Sequence, residues 1–506
     1  MGLLDLPTEL LDGILDLTLP SGIESFALTC KTAYALAAPQ VQRHNALKRQ
    51  WRRTTNYSTP RHGDTLRILY EISRDPLVAE YIESLDLWNE EEPGPDEEED
   101  AGREGGLLDD FRTDQAAMEK LKEMVTASEF LDGDGQEWWE QIVKEEEAYD
   151  GDNQHLSHAT IALLGLLPNL KTLRLWPDWL EISRSSPKHD KWLRTMNEGL
   201  KRIVNRAGQG SGRPLGKLQA IVPYMWAGYE ERTGLQDVQA FMTLPSLTEL
   251  YLVSCIAVDD GYSGIPFEWA APGLMSHLTR IELASCCMDA DGLSALVSHT
   301  PKLSIFRYSH ETKWHGCEHD WNPGSFIEAL ARNCGNTITE LAITIDTLYG
   351  EIINGASSFL FFPKLEILEV DVRIFCGPPV ESGQQLGENA VMPEGARPWT
   401  KEDIPCIGSM MPKSIVQLSI NTEFPEPDEM ALKSLLKNLK EQRAERLHKL
   451  ETVILRQYSN DSAHEFAINA GATLEAFDHG VENVRPRHTM PLWKREFAER
   501  TAWLRS

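Results

Sequence analysis

The chain has 506 residues, with Lys plus Arg at 49 against Asp plus Glu at 78, a formal net charge of −29. That length predicts more than one folded unit, and that charge argues against a grip on a nucleic-acid backbone or an anionic membrane, so the expected partners are proteins, with no nucleic acid and no membrane. The longest apolar stretch, near Ile161 to Leu167, closes at Pro168, short of the ~18 residues a membrane span needs, and eight cysteines without a CxxC pair predict neither a disulfide framework nor a zinc ribbon, but a reducing compartment, cytoplasmic or nuclear.

In chain order, the start Met1-Gly2-Leu3-Leu4-Asp5 has no basic region ahead of an apolar one, so no secretory signal is expected, and Leu6 stands where myristoylation needs Ser or Thr. Leu6-Pro7-Thr8-Glu9-Leu10-Leu11 predicts a helix start, with proline where its missing N–H costs nothing and Glu9 in the first turn. Leu10, Leu11, Ile14 and Leu15 form one apolar stripe. Ser21-Gly22-Ile23-Glu24 reads as a capping box opening a second helix through Phe26, Leu28 and Cys30 toward Tyr34 and Leu36, with Pro39 as breaker. Such short helices cannot bury all this apolar surface alone, so part of it awaits a partner.

Residues 86 to 152 hold 25 acidic and 5 basic side chains, most of the chain's negative balance. Within them Glu90 to Asp100 combines charge repulsion with Pro93 and Pro95 and predicts a disordered loop. Phe111 to Leu131 and Trp138 to Ala148 carry apolar residues at helical spacing and predict surface helices of an acidic insertion.

From Ile161 a different pattern recurs, with apolar residues spaced by three, three and two. It appears in full at Leu167/Leu170/Leu173/Leu175, Leu244/Leu247/Leu250/Leu252, Met275/Leu278/Ile281/Leu283, Phe362/Leu365/Leu368/Val370 and Leu447/Leu450/Val453/Leu455. Shorter forms lie at Leu303/Phe306/Tyr308, Ile338/Leu341/Ile343 and Ile415/Leu418/Ile420, with an outlier at Ile82/Leu85/Leu87. Its last two points alternate as in a strand with one buried face. Helical patterns intervene at Leu293/Leu296/Val297, Phe326/Ile327/Leu330 and Leu432/Leu435/Leu436/Leu439, the last after a cap at Asp428.

The N-terminal segment resembles the F-box motif in a fungal-type form: Leu-Pro-x-Glu-Leu-Leu-x-x-Ile-Leu runs from Leu6 to Leu15, Ala27, Leu28, Cys30 and Lys31 match a second element, and Ala37 to Val41 a third. The alternation of strand and helix at 25 to 35 residues, over roughly 161 to 480, resembles the leucine-rich repeat family. The expected fold class is therefore α/β: an F-box over 1–50, a linker and first strand over 51–88, the acidic insertion over 89–160, a horseshoe with a parallel sheet on its concave face over 161–480, and a tail or cap over 481–506. The resemblance implies a non-catalytic substrate receptor of an SCF-type ubiquitin ligase. Its partners would be the Skp adaptor, the cullin ligase core and a protein substrate still unidentified. The implied adaptor contacts are Leu6, Pro7, Glu9, Leu10, Leu11, Ile14, Leu15, Leu28 and Cys30. Alternation along the strands selects Arg174, Trp176, Tyr251, Glu282, Arg307, Glu369 and Arg456 for the substrate. The alternative is a repeat scaffold acting outside ubiquitination.

No catalytic or metal site and no cofactor are expected. Ser309 to Asp320 gathers His310, His315, Cys317 and His319, but their spacing fits no known zinc arrangement. Asp132-Gly133-Asp134-Gly135-Gln136-Glu137 lacks the glycine a calcium loop needs at its sixth position.

Overall fold

A computed structural model describes residues 6–56, 62–88, 110–131, 135–147, 157–177, 179–180, 189–209, 212–259, 264–271, 273–314, 319–422, 429–458, 461–477 and 490–502. The acidic stretch Glu90 to Asp100, Asp428, and His315 and Cys317 lie outside these. The chain divides into two compact units, Met1–Leu180 with Ser186–Ala220, and Glu181–Ser185 with Ile221–Ser506. This cuts across the expected boundaries at 50, 88 and 160. The physical reason is strand pairing across the acidic insertion, which holds Ser84–Asp86 against Thr172–Arg174.

That unit opens with α1 (Thr8–Asp16), α2 (Ile23–Ala27) and α3 (Lys31–Trp51). Leu15, Leu19, Ile23, Ala27 and Ala37 form their core, with Phe26, Leu36 and Val41 packed against it. Three expectations are corrected here. The predicted long second helix is two helices, because the Cys30 thiol accepts from the Ala33 N–H at 3.4 Å and starts α3 anew. Pro39 lies inside α3 and does not end it. It removes one backbone hydrogen bond, whereas Ala33, Ala37, His44 and Trp51 bury a continuous face of the helix. The Ser21–Glu24 capping box is not formed either: Gly22 holds the cap position, and the Glu24 carboxylate instead meets Lys48 at 2.7 Å and the His44 ring at 3.0 Å.

Next come β1 (Arg53–Thr55), α4 (Thr65–Arg74), α5 (Leu77–Tyr81) and β2 (Ser84–Asp86), so the outlier at Ile82/Leu85/Leu87 contains a strand. The insertion supplies α6 (Gln115–Thr126), shorter than expected, and α7 (Gly135–Glu147), which begins three residues earlier than expected, and α8 (Ser157–Leu164) precedes β3 (Thr172–Arg174). Strands β1 and β3 flank β2 in parallel. The insertion is anchored to this frame: Arg112 pairs with both Asp64 and Glu146, and His158 meets Glu145 at 2.5 Å. Helix α9 (His189–Ala207) follows, and β4 (Ala220–Ile221) falls at the division.

The second unit is a parallel ladder. After the two-residue β5 (Thr233–Gly234) come β6 (Glu249–Val253), β7 (Cys255–Ala257), β8 (Arg280–Met288), β9 (Ile305–Glu311), β10 (Glu340–Thr347), β11 (Ile367–Asp371), β12 (Gln417–Asn421), β13 (Thr452–Tyr458) and β14 (Thr473–Phe477). From β6 the order is β6-β8-β9-β10-β11-β12-β13-β14, and β7 pairs with β5 and β8. The connections carry α10 (Ala290–Val297), α11 (Pro323–Cys334), α12 (Ile407–Met410), α13 (Glu429–Leu436), α14 (Leu439–Glu445) and α15 (Asp461–Ala470), and α16 (Leu492–Ala502) closes the unit. Each recurring pattern in this unit ends in one of these strands. Its last two points are buried, as at Leu250/Leu252, Ile281/Leu283 and Leu341/Ile343. They face the connecting helices, as the Phe306 and Tyr308 rings do at 6.3 and 4.7 Å from Phe326 of α11.

Candidate protein-interaction faces

Two faces carry the residues singled out by sequence. On α1, helical periodicity produces two apolar stripes. Leu11 and Leu15 point into the three-helix core and are buried, so they are not surface contacts of the folded chain, which corrects that part of the expectation. The other stripe faces solvent: Leu10 is 57% exposed, Ile14 half-buried and Leu17 86% exposed. Leu28, closing α2, is 81% exposed, and Tyr34 on α3 is 59% exposed. Pro7, Glu9 and Cys30 are exposed and Leu6 is half-buried. The helices carrying this surface are held by a polar network. His44 bridges Glu24 and the Tyr81 hydroxyl, the latter at 2.8 Å, and burial pushes the Tyr81 phenol up to about 12.

The second face belongs to the ladder. Register aligns Tyr251, Glu282 and Arg307 across β6, β8 and β9, then Arg307, Ala342, Glu369 and Ser419 across β9 to β12. A second row joins Ser309 to Thr344, and Asn421 to Arg456 and Glu475. All leave the sheet on the side away from α11, as alternation requires. This face is not open to solvent. Helix α16 lies across it, its 11 residues covering ~16 Å against about 19 Å for five adjacent strands.

The contacts follow the ladder from one end of the helix to the other. Arg456 donates to the Met490 carbonyl at 2.8 Å, and Glu369 accepts the N–H groups of Leu492 and Trp493 at 2.7 and 2.9 Å. A carboxylate there satisfies donors that the helix start leaves unpaired and complements its dipole. The Trp493 indole donates to Thr344 at 3.1 Å, and Lys494 reaches Asp346 at 2.6 Å. Arg307 pairs with Glu496 at 2.7 Å and Glu340 at 3.0 Å. Arg500 meets Glu282 at 2.7 Å, and the Phe497 ring lies 6.2 Å from that of Tyr251. Glu282, with no exposed side-chain surface, also receives Arg280 at 2.6 Å. Burial, and then the hydrogen bond to Glu249, pushes the Tyr251 phenol far above its ordinary value. Burial and the opposing pull of Lys494 leave Asp346 below its ordinary value.

The structure therefore brings Tyr251, Glu282, Arg307, Glu369 and Arg456 onto one face, with each engaged by the chain's own C-terminal segment. Arg174 and Trp176 belong to the first unit. Both are buried there, Arg174 against Asp86 at 3.5 Å and 3.8 Å from the Trp88 ring. Sequence reasoning passed over Arg280, Asp346, Asn421 and Glu475 on the ladder and all of α16. The available signal was Trp493 and Phe497 at a spacing of four, with Lys494 and Arg500 between and beyond them. The histidine-rich stretch forms no site that the structure describes: His310 is buried and stacked on Trp321 at 4.3 Å, and no group of three or more potential metal ligands occurs among the described residues. No helix among them is long and apolar enough to cross a membrane.

Set against known proteins, the chain matches no family model and no curated protein.

Proposed function

We propose that this chain is the substrate-receptor subunit of an SCF-type ubiquitin ligase, a fungal-type F-box protein with leucine-rich repeats. On this reading α1 to α3 dock on the Skp adaptor, the parallel ladder is the repeat array that holds a protein substrate, and the chain itself performs no chemistry. Its contribution is to raise the effective concentration of substrate lysines near the charged enzyme. The observation that carries the reading is the solvent-facing stripe of α1. A nine-residue helix that already buries Leu11 and Leu15 exposes Leu10 and Leu17 as well, beside Leu28. Apolar surface of this kind marks a protein contact.

The test is recovery of the adaptor together with cullin by the purified chain, compared with a Leu10→Asp, Leu28→Asp double variant. Two charges on the docking face should abolish recovery, while the melting temperature stays within about 1 °C because neither side chain is buried. Unchanged recovery sinks the assignment. Recovery of other partners without adaptor and cullin favours a repeat scaffold acting outside ubiquitination.

A further inference from the structure

We propose that the polar face of the second unit is a binding site for a helical protein segment of the pattern Trp-Lys-x-x-Phe-x-x-Arg, and that α16 is its resident intramolecular occupant, displaced when such a segment arrives from another protein. This specifies the substrate class of the receptor proposed above, but does not require the adaptor.

The first argument is charge. Glu282, Asp346 and Glu369 are built into strands or their immediate ends, and each takes a donor from α16: Arg500, Lys494 and the first two helical N–H groups respectively. A carboxylate covered without a matching donor is costly, so the face selects an occupant bearing cations at these positions. The aromatic positions are equally defined: the Trp493 indole donates to Thr344, and Phe497 lies by Tyr251.

The second argument is that the resident helix is a modest occupant. Eleven residues fall below the ~12–15 that an isolated helix needs even in a favourable sequence. Only Trp493 and Phe497 are buried, and Glu496, which meets Arg307, is 53% exposed, so that pair contributes little. An open, mostly polar groove of about 510 Å³ lies against the helix, lined by Arg307, Glu340 and Gln417 from the ladder and by Leu492, Arg495 and Glu499 from α16. The covalent connection holds α16 in place by raising its effective concentration at the ladder, which an arriving segment has to overcome. A segment that offers the same charges and aromatic anchors competes for the same face.

The experiment uses the full chain with no adaptor present, so its failure leaves the adaptor reading untouched. A fluorescently labelled peptide of residues 490–502 is titrated into the wild-type chain and into a Lys494→Glu, Arg500→Glu variant, whose own helix is repelled by Asp346 and Glu282. The variant should bind the peptide at least roughly tenfold more tightly than the wild type, in which the resident helix competes. A peptide carrying the same two reversals should bind neither. If the variant loses its cooperative melt, the neutral pair Lys494→Gln, Arg500→Gln takes its place. A folded variant that fails to bind, equal affinity for both chains, or binding of the reversed peptide overturns the proposal. So does loss of folding in both variants, because it makes α16 part of the permanent core.

Discussion

Lys494 and Asp346 show how a single pair couples charge to docking. Burial alone would raise the Asp346 carboxyl, but the ammonium at 2.6 Å and the hydroxyls of Ser309 and Ser285 at 2.6 and 2.9 Å hold it below the ordinary value of 3.8. A lowered folded-state value stabilises above the unfolded-state value and is lost as pH falls through the folded one. The contribution is therefore intact at neutral pH and disappears only below about pH 4. Lys494→Gln should cost about 2 kcal/mol at pH 7, with the gap to wild type narrowing in urea titrations taken from pH 5 toward pH 2. A gap that widens in acid contradicts the pairing. Gly292 makes a steric point at the same scale. Its N–H donates to Asp289 at 2.6 Å to start α10, and an added Cβ would stand 2.2 Å from the Ala257 carbonyl oxygen. Alanine gains ~1 kcal/mol of helix propensity, but the clash with backbone costs more, so Gly292→Ala should destabilise the second unit by a net ~1–2 kcal/mol, read as a lower urea midpoint.

Among the elements, α3 is the clearest case of packing overriding a local signal. Proline within a helix costs ~3 kcal/mol relative to alanine, and Pro39 is exposed on a helix that continues to Trp51. Pro39→Ala should therefore stabilise the first unit by at least about 1 kcal/mol, read as a higher urea midpoint. The left-handed Ser254 and Ser285, at φ of 55° and 53°, are a different kind of local departure. The Ser254 N–H keeps the ladder bond to the Ala284 carbonyl, whereas the Ser285 N–H turns out of the ladder to the Ser309 hydroxyl. This bends the strand ends before Cys255 and Cys286, whose N–H to sulfur contact of 3.2 Å continues the stack.

Across the whole molecule the two interaction faces differ in kind, and salt separates them. Peptide binding on the ladder rests on cations meeting Glu282 and Asp346 in a chain of net charge −29, so it should weaken severalfold as the Debye length falls from ~10 Å at 0.1 M to ~3 Å at 1 M. The proposed adaptor capture through Leu10 and Leu28 is apolar and should not weaken over the same range. Titrations of both partners at the two salt concentrations check this. Equal sensitivity would place the charge pairs, or the apolar contacts, on the wrong face.

Much of this protein was legible in its residues. Alternation along each strand assigns Leu250 and Leu252 inward and Tyr251 outward, and parallel register then forces Tyr251, Glu282 and Arg307 into one row. Those are short-range rules of period two, which no distant residue alters. The helical stripe of α1 was equally visible, but not which half of it the chain would cover. Leu11 and Leu15 are chemically no different from Leu10, and only the position of α2 and α3 buries one pair and leaves the other out. The covering of the ladder by α16 lay furthest from reach. Trp493 finds Thr344 and Lys494 finds Asp346 across about 150 residues, and Arg500 finds Glu282 across more than 200. Charge complementarity of that range depends on where the sheet places each carboxylate in space. Sequence alone determined the strands and their faces. The tertiary structure decided that one of those faces is already occupied.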